Sequence, residues 1–284
     1  MFRSTLLAVT LVAGIAPAAA QTAPVDTMVE NPCEGLAVPI PEAVTAYMKA
    51  RYATDASAPA AALPPEAMPY RNATLESAKR DWGNLCKYDA DNARLRAGPA
   101  SGRRVVFMGD SITQGWELAH PEFFTHGVVD RGISGQTSPQ MLLRFQADVV
   151  ALAPRIVHIM AGTNDVAGNT GPNSPEGYRN NIMAMVTLAK AKGIKVILAS
   201  IPPAAAFTWK PTLKPAPRIA ELNTWLKGYA RAQGLVYVDY HASLAAPDGS
   251  LRKELTFDGV HPNLAGYRAM EPLTLKALRE AGDQ

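Results

Sequence analysis

The sequence predicts an α/β fold: a three-layer α/β/α sandwich around a central parallel sheet, preceded by a helical N-terminal extension. Three observations carry this expectation. From Arg103 onward, short β-branched runs alternate with amphipathic stretches. The runs are continuously apolar, as strands are when helices cover both faces. Polar, glycine-containing motifs follow several of them, where open parallel sheets gather their functional loops.

Residues 1–20 hold Arg3, an apolar run from Leu6 to Ile15 and the triplet Ala18-Ala19-Ala20, the pattern of an export signal cleaved before Gln21. The run is shorter than the roughly 20 residues a bilayer span needs. No cysteine stands at the cleavage point to carry a lipid, and no later run is long and apolar enough to cross a membrane. The expected location is periplasmic or secreted, with no stable membrane anchor after cleavage.

Residues 21–99 read as the helical extension. Helices are predicted over 39–52 and 71–96, separated by an Ala/Pro-rich linker or strap at 56–65. In the second helix Leu75, Trp82, Leu85, Tyr88 and Leu95 recur at helical spacings and would form one apolar stripe. The chain has two cysteines, Cys33 and Cys86. An even pair in an oxidising compartment favours a disulfide, with two buried thiols as the alternative.

Residues 100–284 carry the main domain. Strands are predicted at 105–108, 127–130, 156–160, 196–199 and 235–238, and helices at 139–152, 175–192, 218–233 and 262–280. Pro175 and Pro262 suit a first helical turn, and Gly193 and Gly234 suit helix ends. Met141, Leu142 and Phe145 are spaced as core residues of a helix. With 284 residues, 48% hydrophobic and 19% charged, the chain has the composition of a globular protein. A net charge of +3 without a Lys/Arg run gives no footprint for nucleic acid.

Four loops hold the chemistry. Gly109-Asp110-Ser111-Ile112-Thr113 follows the first strand, Arg131-Gly132-Ile133-Ser134-Gly135 the second and Ala161-Gly162-Thr163-Asn164-Asp165 the third, while Asp258-Gly259-Val260-His261-Pro262 leads into the last helix. A serine hydroxyl needs an imidazole to take its proton and a carboxylate to hold that imidazole. Ser111, His261 and Asp258 supply these groups. Asp258 stands three residues before His261, so a turn can bring its carboxylate to the ring nitrogen remote from the serine. Plainer alternatives are a helix cap for Asp258, a surface histidine for His261 and an Asx turn for Asn164.

In this order the four blocks resemble the SGNH branch of the GDSL esterases and lipases, over roughly residues 103–284. The resemblance implies a flavodoxin-like SGNH hydrolase fold in which Ser111 attacks an ester carbonyl. His261 would remove the serine proton and return it to the leaving alcohol, with Asp258 orienting the ring. The implied oxyanion hole is the backbone N–H groups of Ser111 and Gly132 and the side-chain amide of Asn164; no cofactor or metal is required. Glycine suits position 132 because its bare backbone permits close approach to a substrate.

Asp110 and Asp165 are read as loop braces that accept from backbone N–H groups. His120, His126, His158 and His241 lack metal-ligand spacing and are read as structural. Phe207 and Trp209 lie in a proline-rich segment, 201–217, that either caps the core or walls an acyl or sugar pocket. The first strand-to-helix turn has neither phosphate-binding glycine pattern, and Ser111 is not in a G-x-S-x-G elbow. The expected function is a secreted serine ester hydrolase that removes short acyl groups, acetyl first, from small-molecule or carbohydrate esters. Carbohydrate O-deacetylase and lysophospholipase are alternatives on the same site. A non-catalytic ligand-binding module is the alternative from another class.

Overall fold

The computed structural model describes residues 29–59 and 61–283. The expected export signal and its cleavage point lie outside the described residues. In chain order the first elements are α1 (Glu42–Tyr52), α2 (Ala67–Ser77), α3 (Asp89–Ala97), β1 (Val105–Gly109), α4 (Ser111–Ala119), β2 (Val128–Gly132), α5 (Ser138–Asp148) and β3 (Ile156–Met160). They are followed by α6 (Thr163–Ala167), α7 (Pro175–Ala191), β4 (Lys195–Ala199), α8 (Ala216–Gln233), β5 (Val236–Val238), α9 (Tyr240–Leu244) and α10 (Leu264–Glu280).

The strands form one five-stranded sheet in the order β2-β1-β3-β4-β5, and every pairing is parallel. Because side chains alternate along a strand, β1 feeds two cores. Val106 and Met108 meet Met141 and Phe145 of α5, Ile182 and Met185 of α7 and Leu222 of α8. Val105 and Phe107 join Trp116 of α4, Tyr240 of α9 and Tyr267 and Met270 of α10. Each such fully buried apolar side chain stabilises the fold by about 1.5–3 kcal/mol. The continuous apolar runs are therefore strands clothed by helices on both faces.

Register places the site. Gly109 pairs with Gly132 on one side and Met160 on the other, so β1, β2 and β3 end level and their following loops meet. Gly109 has no room for a side chain, since a Cβ there would lie 1.9 Å from Thr113 Oγ1.

Several expectations are corrected. The predicted helix over 71–96 is two helices, α2 and α3, because Asp81 breaks it by accepting from the N–H groups of Leu85 and Cys86, both at 2.9 Å. Asn84 there has a φ of 53°, which no helix accommodates. The apolar stripe dissolves accordingly, with Leu75, Trp82 and Leu85 exposed and Leu95 buried. Pro262 lies outside the last helix; Asn263 caps it by accepting from Gly266 N–H. Helix α4, which begins inside the serine motif at Ser111, is not among the predicted helices.

Cys33 and Cys86 are joined in a disulfide. The extension reaches the main domain through buried polar groups. Asn92 of α3 donates to Asp148 Oδ1 at 2.6 Å and accepts from Arg131 Nε at 2.9 Å. The buried Arg144 donates to Asp148, to Gln136 Oε1 and to the carbonyl of Gly109. Tyr52 of α1 packs so closely on α4 that a Cβ at Gly115 would sit 2.1 Å from its hydroxyl. No helix among the described residues is long and apolar enough to cross a membrane.

Candidate active site

Ser111 is the first residue of α4, directly after Asp110, whose carboxylate caps the helix by accepting from Ile112 N–H at 2.9 Å. Helix starts leave their first N–H groups without intrahelical acceptors, so the Ser111 N–H has none within α4. The Ser111 hydroxyl lies 2.9 Å from His261 Nε2. On the other side of the ring, His261 Nδ1 lies 2.7 Å from Asp258 Oδ2.

The Asp258 turn is held from within. Asp258 Oδ1 accepts from the N–H groups of Val260 and His261, while Thr256 Oγ1 accepts from Gly259 N–H and donates to the His261 carbonyl. Gly259 takes a φ of 86°, which the tight turn requires. Phe257 stacks on the imidazole at 5.7 Å between centroids, and Arg51 of the extension donates to the Phe257 carbonyl. Thr256 and Phe257 were not singled out from sequence; neither residue type carries a recognisable signal outside its turn.

Burial alone would lower the His261 pKa, but the Asp258 carboxylate bonded to Nδ1, with help from Asp110, raises it above the ordinary histidine value. For Asp258, burial pulls upward, and the charge of His261 and the hydrogen bonds from its ring and backbone hold the carboxyl below its ordinary value. Burial pushes Asp110 up to about 6, against the Ile112 hydrogen bond and the charge of His261. These groups can hold and pass a proton between a hydroxyl and an imidazole.

The sequence model of the GDSL-like lipase/acylhydrolase family matches residues 107–269. The chain belongs to that family. It is a family of enzymes that hydrolyse ester bonds. A candidate acylhydrolase of Bacteroides fragilis is 48% identical, with a TM-score of 0.68 over 70% of this chain and 97% of that one. Esterase TesA of Pseudomonas aeruginosa is 29% identical over 201 residues, covering 63% of this chain and 90% of its own. An uncharacterized lipoprotein of Bacillus subtilis, YqeF, is 33% identical over 117 residues, 35% of this chain; the match spans 48% of that protein.

For this GDSL-like chain, the glycine expected in the oxyanion hole needs correction. Gly132 N–H donates to Asp130 Oδ1 at 2.7 Å, and its carbonyl accepts from the Tyr88 hydroxyl at 2.5 Å. A Cβ there would lie 2.1 Å from Gln114 N, so this glycine exists for close packing against α4. Three residues on, Gly135 is half-buried with a φ of 80°, and a Cβ there would meet nothing within 4 Å. Its N–H donates to no group among the described residues. The same short motif thus contains one packed glycine and one open glycine.

Asn164 sits in α6, buried, beneath the rim. Its Nδ2 donates to Asp110 Oδ2 and to the Gln136 carbonyl, both at 3.1 Å. Asp165 braces the neighbouring loop by accepting from Ser138 N–H and Oγ and from Asn173 Nδ2. His158 is buried under Tyr240, and burial lowers its pKa to about 3. No cluster of metal-ligating side chains occurs among the described residues. Of the two aromatics in the 201–217 segment, Phe207 is core and Trp209 is 41% exposed, its ring centroid 6.4 Å from that of His261.

Proposed function

We propose that this family member is an exported serine ester hydrolase that cleaves short acyl esters, acetyl esters foremost, through an acyl-enzyme. The observation that carries the reading is the line Ser111 Oγ, His261 Nε2 at 2.9 Å and His261 Nδ1, Asp258 Oδ2 at 2.7 Å. Ser111 Oγ attacks the ester carbonyl carbon as its proton passes to Nε2; Asp258 stabilises the imidazolium. The tetrahedral intermediate collapses, the C–O bond to the alcohol breaks and Nε2 returns the proton to the leaving oxygen. Water then attacks the acyl-serine with His261 as base, releasing the acid and restoring Ser111.

The developing oxyanion takes the N–H groups of Ser111 and Gly135 and the amide of Asn164. A charged oxygen accepts more strongly than a neutral carbonyl, so it draws the Asn164 hydrogen that Gln136 holds at 3.1 Å in the free protein. Export rests on the residue 1–20 pattern and is supported by the Cys33–Cys86 disulfide, a bond of oxidising compartments.

The exposed Trp209 beside His261 favours a carbohydrate ester as the alcohol side, since an indole face offers a flat apolar platform for a sugar ring. Hydrolysis of chromogenic acetate, butyrate and palmitate esters and of acetylated oligosaccharides tests both parts. Acetate is expected to be fastest, and Trp209→Ala to raise KM for the acetylated sugar while leaving KM for the aryl acetate within about threefold. A preference for palmitate, or an equal rise in KM for both acetates in Trp209→Ala, would contradict the reading.

A further inference from the structure

The side-chain amide of Asn164 is useful to an oxyanion only when its nitrogen, not its oxygen, faces the reacting carbonyl. A chain of hydrogen bonds outside the reacting groups sets that direction. Trp209 Nε1 lies 3.0 Å from Asn169 Oδ1, Asn169 Nδ2 lies 2.6 Å from Asn164 Oδ1, and Asn164 Nδ2 faces Asp110 Oδ2 and the Gln136 carbonyl. An indole N–H can only donate. The Asn169 atom facing it must therefore be the oxygen, which turns the Asn169 NH2 toward Asn164. That NH2 in turn requires the Asn164 oxygen, so the Asn164 nitrogen is left pointing to the opposite side.

The anchor of this chain is itself fixed. Trp209 stacks on the buried Phe207 at 4.9 Å between centroids, and its neighbour Lys210 donates from Nζ to the carbonyl of Gly168 at 3.3 Å. Asn169 N–H also donates to the Asn164 carbonyl at 3.1 Å. The loop after β4 is thus latched onto the residues that follow α6.

We propose that Asn169, held by the Trp209 indole, is the positioning residue that keeps the Asn164 amide directed at the oxyanion. The proposal rests on the reading of Asn164 as an oxyanion donor. Asp110 and Gln136 favour the same orientation in the free protein, yet they occupy the side from which the oxyanion draws its hydrogen. Asn169 lies on the other side, so its bond persists through the transition state.

The test is steady-state kinetics on an aryl acetate for Asn164→Ala, Asn169→Ala, Trp209→Phe and the double variant Asn164→Ala/Asn169→Ala, with circular dichroism as a check of folding. Loss of an oxyanion donor lowers kcat by about a hundred- to thousandfold, and that is expected for Asn164→Ala. Asn169→Ala is expected to lower kcat about ten- to hundredfold with KM within about threefold, because a misdirected amide is a partial loss of the same donor. In the Asn164→Ala background, removing Asn169 is expected to cost nothing more, the non-additivity of residues acting through one group. Trp209→Phe keeps an aromatic ring and removes only the indole donor; a several-fold fall in kcat at constant KM is expected, and this variant decides the matter should Asn169→Ala not fold. An unchanged kcat in Asn164→Ala would overturn the oxyanion reading itself. A collapsed Asn164→Ala with kcat unchanged in Asn169→Ala or Trp209→Phe, or with additive losses in the double variant, would overturn the positioning role alone.

Discussion

Asp258→Asn separates geometry from proton transfer within one turn. Asp258 Oδ1 accepts from the backbone N–H groups of Val260 and His261 at 2.9 and 2.8 Å, and an asparagine oxygen in that place keeps both bonds and the turn. The other arm becomes an NH2 facing His261 Nδ1, where Asp258 Oδ2 now lies at 2.7 Å. Nδ1 must then accept, so the ring proton moves to Nε2, and Nε2 can no longer receive the Ser111 proton. In serine triads this substitution lowers kcat by about 10⁴, or about 5 kcal/mol of transition-state stabilisation. Saturating initial rates on an aryl acetate, with circular dichroism to confirm folding, measure it. A folded Asp258→Asn protein with kcat within about tenfold of wild type would refute the reasoning.

Three further outcomes follow from individual contacts. The His261 pKa is raised, and only the neutral ring can accept the serine proton, so kcat/KM should fall as pH drops through a midpoint above the ordinary value of 6.5; a pH–rate profile with its midpoint at or below that value would contradict this. Gly132→Ala drives a Cβ to 2.1 Å from Gln114 N and should destabilise the protein by about 1–3 kcal/mol or more, whereas Gly135→Ala meets nothing and bears only left-handed strain of about 1–2 kcal/mol; melting temperatures in the reverse order would refute the correction. Asn92→Ala removes the hydrogen bonds to the buried Asp148 Oδ1 and Arg131 Nε and should cost about 2–4 kcal/mol in urea unfolding, against which a loss under about 0.5 kcal/mol would count.

The five strands were legible because burial on both faces writes an uninterrupted apolar run into the sequence, and each predicted run lies within about two residues of its strand. The convergence of Ser111, Asp258 and His261 was legible from motif order, since the ends of parallel strands share one rim. The extension was harder. Helical spacing from Leu75 to Leu95 survives a turn made by the Asp81 side chain, because spacing carries no record of which carboxylate captures which backbone N–H. Short α4 escaped notice because Thr113 and Gly115 interrupt its apolar face between Ile112 and Trp116, and both are buried against neighbours that only folding supplies.

Gly132 and Gly135 show where motif reading stops. Both glycines offer a bare backbone in the loop after β2, and only packing distinguishes the one pressed against Gln114 from the one with open space about its Cβ position. Asn169 and Trp209 were invisible as a pair because the contact between them spans forty residues of sequence. In the proline-rich segment Trp209 is exposed beside His261 while Phe207 is core, a difference between neighbouring aromatics that their spacing in the sequence does not carry.

The most direct test is to quench the enzyme during turnover of an acetyl ester and locate the acyl group by peptide mass spectrometry. A single acetyl on the peptide containing Ser111, absent from a Ser111→Ala protein that has lost turnover, is the predicted result. Acetyl on a different residue, or undiminished hydrolysis by the Ser111→Ala protein, would contradict the account.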